Sequence, residues 1–245
     1  MTNTCATSKS RTRAGCCSYE SRHLHVILRT ASFAPYVSSL AYTLRRLSEL
    51  GIKWEYWCRH SAFHTDRTMN DAMTKTMNRE DITDFMVIDS DESWQPEAVV
   101  RLLSRPEPIV GGSYRMKNKW GTYVGQIKAE NGVPVGKFLE DGTPLLEAKR
   151  VSVGFMRIKT SALRQYSAAY PDMRSDEEGE GTDTTVFFER KRVGNRVWCQ
   201  DMAFCDRMEK IGVDMWIDPT LKIGHWAFTE YPGDFDNYLK HAEIR

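Results

Sequence analysis

The sequence has no run of apolar residues close to the roughly 20 that a helix needs to cross a bilayer. Its first 22 residues also lack the apolar core of a signal peptide, and we expect them to form a flexible leader. None of the six cysteines forms a C-x-x-C pair, which disfavours a cysteine-rich zinc site. Without an export signal or a membrane segment, the sequence predicts a cytoplasmic protein with reduced cysteines and no stable membrane insertion.

Net charge is also nearly absent. The 34 lysines and arginines are balanced by 33 aspartates and glutamates, which leaves a formal net charge of +1. This balance excludes a histone-like polybasic protein but permits a local basic groove, because electrostatic steering depends on the patch and not on the sum. Apolar residues make up 41% and charged residues 27% of the 245 residues, which excludes collagen and disorder throughout the chain.

Strand and helix patterns alternate along the first half of the chain. Short apolar, β-branched runs alternate with segments that repeat apolar residues at three- and four-residue steps. The strand patterns lie at residues 23–28, 52–57, 85–88 and 109–110, and the helix patterns at 35–50, 66–78 and from 96 onward. This order predicts an α/β fold with a mostly parallel central sheet and helices on both faces.

The pattern changes in the second half. Asn131-Gly132 and Asp141-Gly142 are strong hairpin-turn signals, and they predict a small antiparallel insertion. Further patterns predict a strand at 150–158, helices at 162–169 and 200–211, and a strand at 215–217. The acidic stretch at 172–183 is expected to be a solvated, mobile loop. Because there is no internal repeat and no linker, one domain over residues 23–245, preceded by the leader 1–22, fits better than two.

Two carboxylates follow the apolar strand pattern at 85–88. Ligands of open α/β sheets bind beyond the carboxyl ends of the strands, where Asp89 and Asp91 lie. Residues two apart in an extended segment point the same way, so their charges repel unless a cation lies close by. Oxygen ligands of this kind suit Mg²⁺ or Mn²⁺. Taken alone, the Asp-Ser-Asp triplet is a weak signal, since carboxylates after a strand are common as caps and turn formers.

Four ordered segments resemble those of GT-A glycosyltransferases. Residues 85–91, FMVIDSD, resemble the family's D-x-D segment, and residues 200–205 followed by Gly224-His225 resemble its E-D helix and closing G-H pair. Residues 153–158 are similar to the strand beside the family's acceptor site, and residues 67–70 stand near its Arg-Asn helix start. The resemblance spans about residues 24–239, and the end of the chain resembles small phage-encoded members.

The resemblance implies a single GT-A, Rossmann-like domain with a nucleotide-sugar half at about 23–112 and an acceptor half at about 113–245. It implies transfer of a sugar from a nucleotide sugar, taken as UDP-linked, to an acceptor hydroxyl. Mn²⁺ or Mg²⁺ would be held by Asp89, Asp91 and His225, because the departing diphosphate needs a cation. The alternative for His225 is a hydrogen-bonded histidine at a strand end.

The resemblance also implies donor-binding roles for Thr30, Ser32 and Arg67, together with Ser90 between the two aspartates. The family's usual proline after the first strand is absent, which leaves the identity of the nucleotide open. Arg67 would meet a phosphate or the nucleotide base, and an exposed surface arginine fits the sequence equally well.

On the acceptor side, Asp201 matches the carboxylate that removes the acceptor proton in inverting members of the family. The alternative for Asp201 is a helix N-cap, and both roles can hold at once. Gln200 stands where the family more often has Glu, which leaves the charge of the acceptor site open. The resemblance also places Gly154, Phe155 and Trp94 there, although aromatic packing is the more frequent use of a residue such as Trp94.

Two basic clusters bear on the acceptor, at residues 115–120 and 190–196. Basic groups mixed with aromatics suit a nucleic-acid backbone, and solvated faces are the more ordinary interpretation. We rank a hydroxymethylated pyrimidine in DNA slightly ahead of a soluble glycan as acceptor; a phage-encoded enzyme would act in the host cytoplasm. A non-catalytic nucleotide or nucleic-acid binding module is the alternative from another class. A nucleotidyltransferase would need a third carboxylate and a glycine-rich loop, which we do not find.

Overall fold

The computed structural model describes residues 22–29, 33–59, 65–176, 183–227 and 230–240. Its helices in these ranges are α1 (Ala34–Glu49), α2 (Thr65–Met77), α3 (Pro96–Ser104), α4 (Thr160–Ala169), α5 (Gln200–Lys210) and α6 (Phe235–Leu239). The longer strands are β1 (His23–Arg29), β2 (Lys53–Arg59), β3 (Asp84–Ile88), β10 (Pro144–Arg150), β11 (Phe155–Lys159) and β17 (Ile223–Trp226). The shorter strands are β4 (Glu92–Trp94), β5 (Ile109–Gly111), β6 (Gln126–Ile127), β7 (Ala129–Glu130), β8 (Val133–Pro134), β9 (Gly136–Phe138), β12 (Arg174–Ser175), β13 (Thr184–Thr185), β14 (Lys191–Val193), β15 (Arg196–Trp198), β16 (Met215–Ile217) and β18 (Glu230–Tyr231).

The central sheet has the strand order β2-β1-β3-β11-β5-β16-β10-β6, and β9 pairs with β10 beside this path. β1 runs parallel to β2 and β3, and β16 runs parallel to β5. β11 and β10 run against their neighbours, so most of the strands share one direction. The smaller sheets are antiparallel. The predicted fold class, a mostly parallel central sheet flanked by helices with a small antiparallel insertion, is confirmed.

β3 shows how the sheet is covered on both faces. All five of its residues are buried. Because side chains alternate across a strand, Phe85 and Val87 join one core cluster while Met86 and Ile88 join the other. Side chains of α2, α4 and α5 complete the first cluster, and those of α1 and α3 complete the second. A strand buried on both faces requires the continuous apolar run that the sequence has here.

α1 departs from its apolar spacing at one position. The spacing of Val37, Leu40, Leu44 and Leu47 predicts a buried stripe; Leu47 is buried and Leu40 packs against the core, but Val37 is 51% exposed. The buried residues of this helix are Tyr36, Ser39, Thr43 and Leu47. The Trp94 backbone N–H donates to Ser39 Oγ (3.0 Å), and the Trp94 indole N–H donates to Thr43 Oγ1 (2.9 Å). Since buried donors need acceptors, these two hydroxyls turn inward at the expense of Val37.

The hairpin predictions are confirmed at both sites. Asn131 (φ 51°) and Gly132 (φ 79°) join β7 to β8, and a turn at Asp141 and Gly142 (φ 78°) joins β9 to β10. Both Asn131 and Gly132 have the positive φ that a tight two-residue hairpin requires. These hairpins form the antiparallel insertion between β5 and β11.

The continuous strand predicted over residues 150–158 is wrong. β10 ends at Arg150 and β11 begins at Phe155, with a turn between them. The turn brings the Gly154 carbonyl against the backbone N–H of Asp89, at 2.8 Å. Propensity alone could not show this break, because it is fixed by a contact between segments far apart in the chain.

The acidic stretch at 172–183 is partly described. Arg174 and Ser175 pair with β13, and the Arg174 side chain forms an ion pair with Asp183, so these residues differ from the expected mobile loop. Residues 177–182 of the stretch and residues 1–21 of the leader lie outside the described residues. No helix in the described part of the chain is long and apolar enough to cross a membrane.

Candidate functional site

The turn after β3 brings the predicted metal ligands Asp91 and His225 together. β3 ends at Ile88, and the chain then turns through Asp89, Ser90 and Asp91 into β4. β4 pairs with β17, which places His225 opposite Glu92 in the antiparallel register. The Trp226 backbone N–H donates to the Asp91 carbonyl at 2.7 Å, so backbone hydrogen bonds fix the approach of the two strands.

Two basic side chains converge on one oxygen of Asp91. His225 Nε2 lies 3.7 Å from Asp91 Oδ2, and Lys117 Nζ forms an ion pair with the same oxygen. Partial burial opposes ionisation of Asp91, but its interactions with His225 and Lys117 outweigh burial and hold the pKa of Asp91 well below its usual range. Asp91 is therefore a carboxylate across the physiological pH range.

The orientation of His225 suits a metal ligand. Its Nδ1 lies 2.8 Å from the Arg115 carbonyl oxygen, which can only accept a hydrogen bond, so Nδ1 carries the proton. A proton on Nε2 points toward Asp91 Oδ2 and favours its ionised form, and loss of that proton would leave a lone pair in the same direction for a metal. Metal-bound histidines are usually fixed in this way by a second partner on the other ring nitrogen. A carboxylate and an imidazole lone pair facing each other across 3.7 Å fit a divalent cation.

Asp89 and Ser90 complete the predicted turn and are both half-buried. The Asp89 backbone N–H donates to the Gly154 carbonyl oxygen. Within the described ranges, however, Asp89, Asp91 and His225 do not place three ligand atoms within 4.8 Å of one another; the group that does is His23, Glu55 and Asp81. Two of the three predicted ligands, Asp91 and His225, have side-chain atoms 3.7 Å apart.

The group of His23, Glu55 and Asp81 lies at the opposite edge of the sheet. His23 begins β1 and Asp81 precedes β3, whereas Asp89 and Asp91 follow the end of β3. These side chains could hold a metal, but the Arg79 guanidinium already hydrogen-bonds both carboxylates, at 2.6–2.9 Å to Glu55 and 2.6–3.0 Å to Asp81. Arg79 lowers the pKa of Asp81 to about 2. A cation would have to compete with this arginine.

Glu92 lies beneath the turn and was not anticipated from the sequence. Its side chain is completely buried, and among the described residues neither carboxyl oxygen has a hydrogen-bond partner. Burial, reinforced by the charges of Asp89 and Asp91, raises the pKa of Glu92 well above its ordinary value. A Cβ added at Gly154 would lie 2.4 Å from Glu92 Oε1 and 2.1 Å from Tyr114 Oη, so only glycine fits there.

The buried Glu92 leads to a prediction about pH. With its folded-state pKa raised above the ordinary 4.5, the folded protein retains a proton that the unfolded chain loses. Stability should therefore fall as pH rises above about 4.5, by up to about 1.4 kcal/mol per pH unit, until the folded-state pKa is passed. The glutamine in Glu92→Gln cannot titrate. We therefore expect the unfolding free energy of Glu92→Gln, relative to that of the wild type, to increase between pH 5 and pH 8, by up to about 1.4 kcal/mol per pH unit.

Denaturant unfolding of both proteins at several pH values measures this difference. Parallel profiles for Glu92→Gln and the wild type would show that Glu92 is ionised in the folded protein. A conservative control is Glu97→Gln, because Glu97 is an exposed residue in the first turn of α3.

Asp201 lies at the start of α5, in a cleft of about 400 Å³. Residues from several elements line the cleft: Met116, Tyr123, Arg150, Ser152, Cys199 and Asp201. The N-cap position of α5 is occupied by Cys199, and Asp201 Oδ1 accepts a local hydrogen bond from the Met202 backbone N–H, at 2.9 Å. The structure thus places Asp201 two residues beyond the N-cap, in the first turn of α5, with its half-buried carboxylate at the cleft.

The Asp201 cleft and the Asp91–His225 pair are neighbours across Tyr114. Ser152 lines the cleft, and its Oγ lies 2.8 Å from Tyr114 Oη. The Tyr114 ring packs edge-on against the His225 ring, with centroids 4.9 Å apart. The turn at residues 151–154 therefore contacts both the Asp201 cleft and the Asp89–Asp91 turn. Its first half lines the cleft, and the Gly154 carbonyl accepts the Asp89 backbone N–H.

The other predicted residues have mixed placements. Trp94 is 5% exposed and packs against Tyr36 and Phe155, so its ring is used for aromatic packing and not as an exposed platform. Phe155 is fully buried, and Gln200 is half-buried at the start of α5. Arg67 lies in the first turn of α2 and is half-buried. Thr30 and Ser32 lie outside the described residues.

Sequence reasoning missed Lys117, Tyr114, Ser152 and Glu92. Lys117 was visible only as part of a basic cluster, and no local signal places it on Asp91, 26 residues earlier in the chain. Tyr114 and Ser152 are 38 residues apart and meet only in the fold. A charge next to the D-x-D turn was the one available signal for Glu92.

No family model matches the chain, and no curated protein matches it. Similar solved structures include A197 from STIV, with a TM-score of 0.49 and 16% identity, covering 84% of this chain and 86% of that one. They also include the catalytic domain of Drosophila β1,4-galactosyltransferase 7 in complex with xylobiose, with a TM-score of 0.45, 9% identity and coverage of 80% and 65%. A glycosyltransferase involved in glycosylation of the major capsid of PBCV-1 has a TM-score of 0.34, 10% identity and coverage of 63% and 68%. These likenesses concern the fold and assign no activity.

Proposed function

We propose that the protein is a metal-dependent glycosyltransferase that moves a sugar from a nucleotide sugar, UDP-linked, to an acceptor hydroxyl. The observation that carries this proposal is the adjacency of two groups across one tyrosine. Asp91 and His225 Nε2 would hold a cation on one side of Tyr114, and the Asp201 carboxylate lies in a cleft on the other. A transferase that moves a sugar from a diphosphate leaving group to an acceptor hydroxyl needs these two groups in one place.

On the donor side, Asp91 and His225 would hold Mn²⁺ or Mg²⁺, with Asp89 contributing through the metal or the ribose. Such an ion supplies positive charge to the departing diphosphate. The low pKa of Asp91 keeps this ligand ionised without the metal. Thr30, Ser32, Arg67 and Ser90 remain candidates for contacts with the nucleotide.

On the acceptor side, Asp201 would act as the base. The bond between the sugar's anomeric carbon and the diphosphate oxygen breaks, and the acceptor oxygen forms the new bond on the opposite face of the sugar. The hydroxyl proton passes to Asp201, and the diphosphate leaves with the bonding electron pair. This is the inverting course, and it requires the acceptor hydroxyl within hydrogen-bond reach of the carboxylate. Gln200, Gly154 and Phe155 would support the same side of the site.

For the acceptor itself, we rank a hydroxymethylated pyrimidine in DNA first. The β14–β15 hairpin leads directly into α5 and carries Lys191, Arg192 and Arg196 with no acidic residue. On the segment after Met116, Trp120 is 73% exposed with Lys119 Nζ 4.4 Å from its ring centre. Cations and exposed aromatics in this combination suit phosphates and unstacked bases. A base in a duplex would have to flip out for its hydroxyl to reach Asp201.

The test is hydrolysis of a panel of nucleotide sugars with Mn²⁺, alone and with hydroxymethylated DNA, unmodified DNA or soluble glycans added. We expect slow hydrolysis of one donor, and faster turnover with hydroxymethylated DNA but not with unmodified DNA. If only a glycan stimulates turnover, the acceptor is that glycan and not DNA. Failure of every donor to turn over, with nucleotide still bound, would favour a non-catalytic nucleotide or nucleic-acid binding module.

A further inference from the structure

Lys117 lies on the carboxylate that the proposed function assigns to the metal. Its ammonium group forms an ion pair with Asp91 Oδ2, the same oxygen that His225 Nε2 approaches to 3.7 Å. The Lys117 and Asp91 side chains are 27% and 30% exposed, so the pair is partly shielded from water but open to a ligand. A positive charge is thus already present where the divalent cation would bind.

The segment that carries Lys117 is anchored at its base. Arg115 bridges to Tyr123, and the Met116 backbone N–H donates to the Thr122 carbonyl at 2.7 Å. The Arg115 carbonyl holds His225 Nδ1, and Met116 lines the Asp201 cleft. Lys117 therefore projects from a fixed base at the border between the metal ligands and the acceptor cleft, and its flexible side chain is the part that can move.

An ammonium group and a divalent cation on the same carboxylate oxygen repel each other. Binding of a metal to Asp91 and His225 would therefore weaken the Lys117 ion pair and favour release of the Lys117 ammonium group from Asp91 Oδ2. The lysine side chain is long and rotatable, so the ammonium group can release Asp91 and still remain within the donor site. The nearest new anion there would be the donor diphosphate on the metal.

We propose that Lys117 is an exchangeable cation that holds Asp91 before metal binding and then moves to the donor diphosphate. This inference rests on the proposed function. Lys117 would be a second cation, beside the metal, that interacts with the diphosphate leaving group. In the first position Lys117 keeps Asp91 ionised and oriented. In the second it stabilises the charge that develops as the sugar–diphosphate bond breaks.

Lys117→Met tests this, because methionine has a similar length and no charge. Without its competitor, Mn²⁺ should bind Asp91 more tightly in the absence of donor, by about tenfold, a typical coupling between two ligands of one site. UDP binding at saturating Mn²⁺ should weaken by about tenfold, and kcat should fall, because the diphosphate loses a cation. Titration calorimetry with Mn²⁺ alone and then with UDP measures the two affinities. Tighter Mn²⁺ binding together with weaker UDP binding in the same variant distinguishes exchange from a merely structural role of Lys117.

The matched control is Lys119→Met, two residues along the same segment, where the ammonium group lies over Trp120 and not on Asp91. We expect neither affinity to change in this variant, and Lys117→Arg should restore much of the UDP affinity. Weaker or unchanged Mn²⁺ binding in Lys117→Met would overturn the exchange, since a merely structural lysine would not restrain the metal. If Asp91→Asn leaves Mn²⁺ binding intact in the wild-type background, the metal site itself, and with it the proposed function, fails instead.

Discussion

Asp201→Asn is expected to lower the rate of sugar transfer by about 10²- to 10⁴-fold, the usual contribution of a positioned general base. Asparagine keeps the size of the side chain and its local hydrogen bond with the Met202 N–H, but it cannot accept the acceptor proton. Mn²⁺-dependent UDP binding should stay unchanged, because Asp201 stands in the cleft on the far side of Tyr114. Steady-state rates and UDP titrations of the same variant separate the two effects.

A matched control is available on the same helix. Asp206 forms an ion pair with Lys210 at 2.9 Å and is not among the residues that line the cleft, so Asp206→Asn should transfer sugar at nearly the wild-type rate. Full activity of Asp201→Asn would contradict the base assignment. Loss of activity in both variants would point to the stability of α5 and not to the chemistry.

Asp91→Asn is expected to remove metal-dependent donor binding. Even changes outside the direct ligands cost about 10- to 100-fold in metal affinity, so loss of a ligand carboxylate should cost at least about 100-fold. The amide is isosteric and cannot pair with Lys117 as a charge, and transfer should fall to the background. Calorimetric titration of UDP with and without Mn²⁺ measures this loss.

The control for Asp91 is Asp81→Asn, in the group of His23, Glu55 and Asp81. Arg79 already pairs with both carboxylates of that group, and we expect Asp81→Asn to bind Mn²⁺ and UDP as the wild type does. Loss of metal binding in Asp81→Asn, with retention in Asp91→Asn, would move the metal to the other edge of the sheet.

Elements with their own local signal could be predicted from the sequence. The apolar run of β3 is buried on both faces, and the carboxylates after it lie at the carboxyl end of the strand, as the run predicts. The turns at Asn131-Gly132 and Asp141-Gly142 follow from the backbone that these residues prefer. In these places the conformation that a short segment prefers locally is also the one that it adopts in the fold.

Features that depend on a distant partner were not predictable in this way. Val37 belongs to the apolar spacing of α1, yet Trp94 draws the hydroxyls of Ser39 and Thr43 inward and leaves Val37 exposed. The break at residues 151–154 reflects the close approach of Gly154 to Tyr114 and Glu92. A single sequence carries no direct sign of such contacts.

The candidate site shows the same division. The motif resemblance named Asp91, His225 and Asp201, and the structure brings the first two within 3.7 Å and places the third in the adjoining cleft. The side chains around them, Lys117 and Tyr114 among them, come from segments without a motif. Lys117 contributes, after His225, to the lowered pKa of Asp91, and Tyr114 connects the two halves of the site.

We propose that Asp91 and His225 hold the metal that binds the donor diphosphate. Pulsed electron paramagnetic resonance of Mn²⁺ bound to the protein with UDP tests this directly, because coupling to ¹⁴N reports an imidazole ligand and coupling to ³¹P reports the diphosphate. We expect both couplings in the wild type and loss of the ¹⁴N coupling in His225→Gln, with His23→Gln unchanged. A ¹⁴N signal that survives His225→Gln and disappears in His23→Gln would contradict it.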